Sequence, residues 1–290
     1  MKAYVNGKIV DLENARISIS DRGLLYGDGV FESLRTFGGK PFMLKQHIDR
    51  LGSSAKVIGI SIKNYKLEII NKVNILIKQN GFGESYVKII ITRGEMSRHG
   101  ISPGNAKGKP AVVIMVQPLA ELPEAIYMKG WRAVISSIVR PDSTISRIKS
   151  LNYLQMLLAK MEADRAGVEE AFVCDSKGNI LEATTSNVFI VKNGVLITPP
   201  LSAPILPGTM RAWVIRQCQM LNPPAGMAGV KCQMRMLNVK TLLSADECFI
   251  TNSGVGIMPI VTINKKKLSK GKPGPMTQRL LAIFKQSTTC

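Results

Sequence analysis

From Glu170 to Thr198 the chain alternates short apolar runs with tight turns, and no other stretch constrains the fold as much. One run ends at Ser176-Lys177-Gly178-Asn179, the next passes through Glu182, and a third turns at Asn193-Gly194. Short runs joined this closely pair with their neighbours in antiparallel fashion. The carboxyl-terminal part of the chain is therefore expected to rest mainly on antiparallel strands.

The amino-terminal part mixes strand and helix periods. Asn6-Gly7 marks a hairpin within residues 3–10, and Gly38-Gly39 marks a second within 29–42. Residues 43–58 set Met43, Leu44, His47, Ile48 and Leu51 at helical spacing, and 64–80 repeat the pattern between Asn64 and Gly81. Strands are predicted over 85–92 and 110–116, separated by a polar loop from Arg93 to Lys109 of the length that is functional or mobile in compact domains. Pro118 and Pro123 interrupt the pattern. It restarts at Gly130 with a strand and a helix over 151–166 that stops before Gly167. A helix over 209–221 closed by Asn222-Pro223-Pro224, a strand over 247–251 and a last helix near 276–286 follow. The expected organisation is α+β, with a small α/β domain at 1–118, a linker at 119–128 and a larger domain at 129–290.

Composition narrows the classes of function. Cys174, Cys218, Cys232, Cys248 and Cys290 are scattered, and with only two histidines they offer neither metal-ligand spacing nor a disulfide framework, so no metal is expected. No apolar run approaches the roughly 18 residues of a membrane span, and the first residues lack an apolar signal core. A cytoplasmic location without a membrane partner is the expectation. The formal charge of +19 admits a polyanionic partner. Yet the basic residues are spread out, and the densest group (Lys265, Lys266, Lys267, Lys270, Lys272) lacks the interleaved aromatics of a single-strand groove. That group reads as a solvated hairpin and loop. No nucleic-acid partner is expected; a positive field that gathers phosphate and carboxylate ligands is.

Two stretches invite chemistry. In Arg147-Ile148-Lys149-Ser150-Leu151-Asn152-Tyr153 one lysine stands at the mouth of the 151–166 helix, on the same face as Arg147 if the stretch is extended. In Glu182-Ala183-Thr184-Thr185-Ser186-Asn187 one carboxylate ends a strand, 33 residues after that lysine. Four other blocks accompany them: the glycine-rich run Asp21 to Glu32, His47-Ile48-Asp49-Arg50-Leu51, Leu206-Pro207-Gly208-Thr209-Met210-Arg211, and Thr251-Asn252-Ser253. In this order the blocks resemble the class IV aminotransferases, the fold type IV pyridoxal-phosphate enzymes, and the resemblance runs from about residue 3 to 286.

The resemblance implies two domains, the larger with a mostly antiparallel pseudo-barrel sheet, pyridoxal 5′-phosphate as cofactor and a homodimer. It makes Lys149 the Schiff-base amine, which once released shuttles a proton at the substrate α-carbon. Glu182 becomes the partner of the pyridine nitrogen, and Arg50 the phosphate anchor, through its planar fork. Tyr153 is expected to hydrogen-bond the cofactor's phenolate. Ser186 and Asn187 follow on the cofactor side, Thr209 and Met210 offer amides at a helix start, and Asn252 and Ser253 form a second phosphate-side turn. Phe31 is expected to wall the substrate with an apolar ring. Arg98, in the 93–101 loop, is the candidate clamp for a substrate carboxylate.

The function so implied is a transaminase that moves an amino group between an amino acid and a 2-oxo acid, with branched-chain or other hydrophobic L-amino acids expected first. Met210, Asn252 and the Thr92-Arg93-Gly94 text look like a 4-amino-4-deoxychorismate lyase, which eliminates pyruvate to leave 4-aminobenzoate. The Ala-Thr-Thr-Ser-Asn text, where branched-chain enzymes usually show Gly-Thr-Gly, leans towards the lyase and D-amino acid branches. Phe31 stands where enzymes acting on D-amino acids tend to have tyrosine, which weighs against that branch.

Overall fold

The computed structural model describes residues 1–220 and 231–288, so the expected Asn222-Pro223-Pro224 stop and Cys290 lie outside the described residues. The chain divides into two compact units: Met1–Glu121 with Ile148–Asn152, and Leu122–Arg147 with Tyr153–Cys290.

In the first unit β1 (Lys2–Val5) and β2 (Lys8–Asp11) are joined by Asn6 and Gly7, both at positive φ (47° and 96°), which a two-residue hairpin turn requires. Then come α1 (Arg22–Tyr26), β3 (Gly29–Phe37), β4 (Lys40–Pro41), α2 (Leu44–Val57), α3 (Lys66–Asn80), β5 (Ser85–Thr92) and β6 (Ala111–Pro118). The helix expected from Asn64 starts later, behind a 3₁₀ turn at Lys63–Tyr65. Six strands form one sheet in the order β2-β1-β6-β5-β3-β4, every pair antiparallel. Alternation on β5 sends Val87, Ile89 and Ile91 to one face, where they pack with Leu34, Ile48, Leu51, Val73 and Leu76. Each such burial contributes roughly 1.5–3 kcal/mol.

The segment Ile148–Asn152 belongs to this unit although it is distant in sequence. The Phe31 amide donates to the Lys149 carbonyl at 2.9 Å, and the Leu151 amide to the Gly29 carbonyl at 3.0 Å. Gly29 permits this approach: a Cβ there would lie 2.6 Å from the Ile91 carbonyl and 2.7 Å from Leu151 Cδ1.

The second unit contains α4 (Glu124–Lys129), β7 (Trp131–Val139), α5 (Leu154–Arg165), β8 (Glu170–Cys174), β9 (Asn179–Ala183), β10 (Asn187–Lys192) and β11 (Val195–Thr198). It continues with α6 (Thr209–Met220), β12 (Cys232–Met234), β13 (Leu237–Asn238), α7 (Val239–Leu243), β14 (Glu247–Asn252), β15 (Gly256–Ile263), β16 (Lys266–Lys267) and α8 (Pro275–Thr288). Half of the segment read as a linker is thus helical. The sheet runs β12-β11-β10-β14-β15-β7-β8-β9-β13, with β16 on β15. Its pairs are antiparallel except β7 with β8 and β15, and β11 with β12. A pairing of β9 with β10, through Glu182 and Asn187, closes the strands from β10 round to β9 into a ring. This is the mostly antiparallel pseudo-barrel. Phe172, Ile180, Val188, Ile190, Ile250 and Ile260 fill one face of it. The hairpin that carries Lys266 and Lys267 is solvated. Helix α5 buries Met156, Ala159 and Ala163 but leaves Leu154, Leu157, Leu158 and Met161 exposed. Among the described residues no helix is long and apolar enough to cross a membrane.

Candidate active site

In the first unit, Lys149 is fixed by its backbone. Its carbonyl is held by β3, and its amide donates to the Ser54 hydroxyl of α2 at 3.3 Å. The side chain is buried, with Nζ 4.6 Å from the centre of the Phe31 ring. A second amine, Lys88 Nζ, lies 5.0 Å from the same ring. Burial, and then repulsion by Lys149, holds the Lys88 amine below its ordinary value.

Next to Phe31, the fully buried Glu32 forms an ion pair with the helix that carries Arg50. Arg50 donates from Nε at 2.7 Å and from Nη2 at 2.8 Å to the two oxygens of the Glu32 carboxylate, and His47 Nδ1 lies 2.7 Å from Oε2. Burial pushes the Glu32 carboxyl upward, but the Arg50 charge and the hydrogen bonds from Arg50 and His47 outweigh it and hold the group at about 2. Burial is also the leading reason that His47 stays below its usual value. Ionised Glu32 accepts, so His47 donates from Nδ1.

The loop from Arg93 to Lys109 is braced from inside. Fully buried Arg22 donates to Asp28 at 2.8 Å and to the carbonyls of Gly100 and Ile101 at 3.2 and 2.6 Å. Arg93 holds both Asp28 oxygens, at 2.8 and 3.0 Å. Burial raises the Asp28 carboxyl, yet the two arginines keep it below the usual carboxylate range. Arg98 is exposed, and its Nε donates to Asn105 Oδ1 at 2.7 Å.

In the second unit, Glu182 sits at the closure of the barrel. One oxygen receives Arg140 Nη2 at 3.0 Å; the other receives the Leu206 amide at 3.0 Å and faces Asn187 Nδ2 at 3.4 Å. Arg140 is itself buried and donates to the carbonyls of Pro204 and Ser146 at 3.0 and 2.6 Å. Asn187 Nδ2 also donates to the Leu206 carbonyl at 2.9 Å, and Gly208 lies so close that a Cβ would come within 1.9 Å of Asn187 Oδ1. Asn252 donates to the Ser186 hydroxyl at 2.8 Å and accepts the amides of Gly254 and Val255, which closes its turn. The hydroxyls of Thr209 and Ser253 lie 3.4 Å apart. Met210 is buried in the first turn of α6, and half-buried Tyr153 packs against the α5 cluster.

The structure brings Phe31 and Lys149 together in one unit, and Glu182 with Asn187, Ser186 with Asn252, and Thr209 with Ser253 in the other. The expectation that Arg147 and Lys149 extend along one face is corrected. Thr144–Arg147 is a 3₁₀ turn, and Arg147 pairs with Asp142 at 2.7 Å. Glu32 and Arg140 were not singled out in the sequence. Glu32 had a signal, an acidic residue in a strand too apolar to be solvated. Arg140, at the end of a strand before a proline, had none.

The profile of the amino-transferase class IV family matches residues 29–263. A Methanocaldococcus jannaschii protein provisionally named a branched-chain-amino-acid aminotransferase is 40% identical, over 100% of this chain and 97% of its own. A Bacillus licheniformis D-alanine aminotransferase is 31% identical, over 99% of this chain and 97% of its own. Among solved structures, Escherichia coli branched-chain amino acid aminotransferase superimposes with a TM-score of 0.91 at 29% identity, covering 99% of this chain and 94% of that one. The T.th. branched-chain amino acid aminotransferase, solved with pyridoxamine 5′-phosphate, gives 0.88 at 29% identity over 99% and 94%. A Pseudomonas aeruginosa 4-amino-4-deoxychorismate lyase gives 0.86 at 27% identity over 99% and 100%. The chain belongs to the class IV aminotransferases, a family that depends on pyridoxal phosphate. It is an aminotransferase.

Proposed function

We propose that this chain transfers the amino group of a branched-chain or other hydrophobic L-amino acid to a 2-oxo acid, with pyridoxal 5′-phosphate as its cofactor. The observation that carries the substrate class is the Phe31 ring 4.6 Å from the Lys149 amine: the reactive nitrogen has an apolar wall beside it rather than a hydroxyl. The names of the M. jannaschii and E. coli relatives support the same class.

The donor set suits a phosphorylated ring. Ser186, Thr209 and Ser253 supply hydroxyls, the first turn of α6 carries no acidic residue, and the buried Thr251 Oγ1 has no hydrogen-bond partner among the described residues. Arg50 adds a guanidinium fork. When bound, pyridoxal phosphate supplies an aldehyde for the amino group and a ring that takes up electrons as the substrate loses its α-proton. Lys149 would hold the cofactor through its amine, and that amine, once released, would move the proton at the substrate α-carbon. Glu182, which accepts from Arg140 Nη2 and the Leu206 amide, offers its carboxylate to the ring nitrogen. Asn187 orients Glu182, and Tyr153 offers a phenol to the ring oxygen. Asn252 positions the Ser186 hydroxyl, and Thr209, Met210 and Ser253 serve the phosphate. Arg98 binds the substrate carboxylate.

A homodimer is part of this reading. The stripe Leu154, Leu157, Leu158 and Met161 recurs at helical spacing on the outside of α5, and an apolar helix face of that kind suits a second copy. A second functional reading, action on D-amino acids, is favoured by the 31% full-length identity to a D-alanine aminotransferase.

A panel of single substrates separates the readings. The purified holoenzyme is mixed with L-leucine, D-alanine or aminodeoxychorismate, and cofactor absorbance and released products are followed. The expected result is loss of the cofactor band with L-leucine and formation of its 2-oxo acid. A response to D-alanine alone would establish the second reading. Pyruvate release from aminodeoxychorismate would make the chain a lyase.

A further inference from the structure

Glu32 is a fully buried carboxylate that none of the steps above uses. It lies on β3 between two partners from one face of α2, Arg50 and His47. A guanidinium has two edges suited to an oxyanion: the side formed by Nε and one terminal nitrogen, and the end formed by the two terminal nitrogens. Glu32 takes the side edge of Arg50 with both oxygens, at 2.7 and 2.8 Å. Because the group is planar, that contact fixes the direction of the end edge. His47, at 2.7 Å from Oε2, fixes the carboxylate in turn. The Arg50 side chain is only 10% exposed, so its ion pair with fully buried Glu32 is largely shielded from water.

We propose that Glu32 is a positioning residue for the cofactor phosphate: it aims the end edge of the Arg50 guanidinium and holds it there, with His47 as its brace. The inference rests on Arg50 being the phosphate anchor. Glu32 touches neither cofactor nor substrate, and its effect passes wholly through Arg50. A residue that only supports the sheet would affect all ligands alike. One that aims the arginine affects only ligands that carry a phosphate.

The test compares pyridoxal 5′-phosphate with pyridoxal, which lacks the phosphate. Binding of each to the full-length protein freed of cofactor is measured by equilibrium dialysis for wild type, Arg50→Ala, Glu32→Gln and the double variant. Arg50→Ala is expected to narrow the preference for the phosphorylated form. Glu32→Gln is expected to narrow it by about tenfold or more, on the scale of lost supporting partners, with pyridoxal affinity unchanged. In the Arg50→Ala background Glu32→Gln is expected to add nothing. An unchanged preference in Glu32→Gln, an equal loss for both ligands, or a full additional loss in the double variant would overturn the proposal. An unchanged preference in Arg50→Ala would instead sink the phosphate-anchor reading beneath it. If Glu32→Gln fails to fold, Glu32→Asp keeps the charge and withdraws it by one methylene. The same narrowing of preference is then expected, and a wild-type preference would overturn the proposal.

Discussion

At the scale of single residues the proposed mechanism centres on Lys149, whose position is set by backbone contacts with Phe31 and Ser54. Substituting Lys149 with alanine should leave the fold intact, because the β3 contacts are made by main-chain atoms. Turnover should fall to background, and a first half-reaction that survives in a stopped-flow trace would remove Lys149 from its role. Glu182→Gln should keep the cofactor bound yet slow α-proton removal, read as the rate of hydrogen exchange at the substrate α-carbon; an unchanged rate would mean that the ring nitrogen has another partner. Glu32 also gives a pH prediction. Its folded value, about 2, lies below the ordinary 4.5, so its contribution to stability is complete above roughly pH 4.5 and fades as the pH falls towards 2. Urea midpoints should therefore decline less over that window in Glu32→Gln than in wild type. Lys149, Glu182 and Arg50 stood out in the sequence because of their flanking text. Arg140 did not, because its pairing with Glu182 exists only once β7, β8 and β9 lie side by side.

Elements show where local pattern stops being informative. The hairpins at Asn6-Gly7 and Asn193-Gly194 and the helices α2, α3 and α5 were legible, since turn residues and periodicity act over short distances. Strand β15 was not: Pro259 lies inside it, a residue that argues against a central strand, and its place between β14 and β7 is set by distant partners. The β9–β10 pairing that completes the barrel is a single residue pair, with no signature beyond Glu182 and Asn187 themselves. The start of α6 packs hard against that closure. Gly208→Ala would drive a methyl into Asn187 Oδ1, which now accepts a close approach. A loss of about 1–3 kcal/mol is expected from the overpacking, measured by urea unfolding, together with weaker cofactor retention. Wild-type stability would show that the turn relaxes freely. On α5, Leu157→Asp with Leu158→Asp should convert a dimer to monomers in sedimentation velocity, and a persistent dimer would place the contact elsewhere.

For the whole molecule, the charge of +19 suits substrates and a cofactor that all carry carboxylate or phosphate. Of the residues named for the proposed site, Lys149, Phe31 and Arg50 lie in the first unit, and Glu182, Ser186, Thr209 and Ser253 in the second. The segment 148–152 joins the first unit although the chain around it belongs to the second. Sequence placed Lys149 in the larger domain, because the partnership with β3 is long-range and leaves no periodic trace.

The most direct test of this account is chemical trapping of the cofactor. The purified holoenzyme is reduced with borohydride, digested, and its peptides are sequenced by mass spectrometry. The phosphopyridoxyl group should be found on the peptide containing Lys149, with that lysine as the modified residue. Finding it on Lys88, the other amine beside the Phe31 ring, or finding no modified lysine at all, would contradict the assignment on which the mechanism rests.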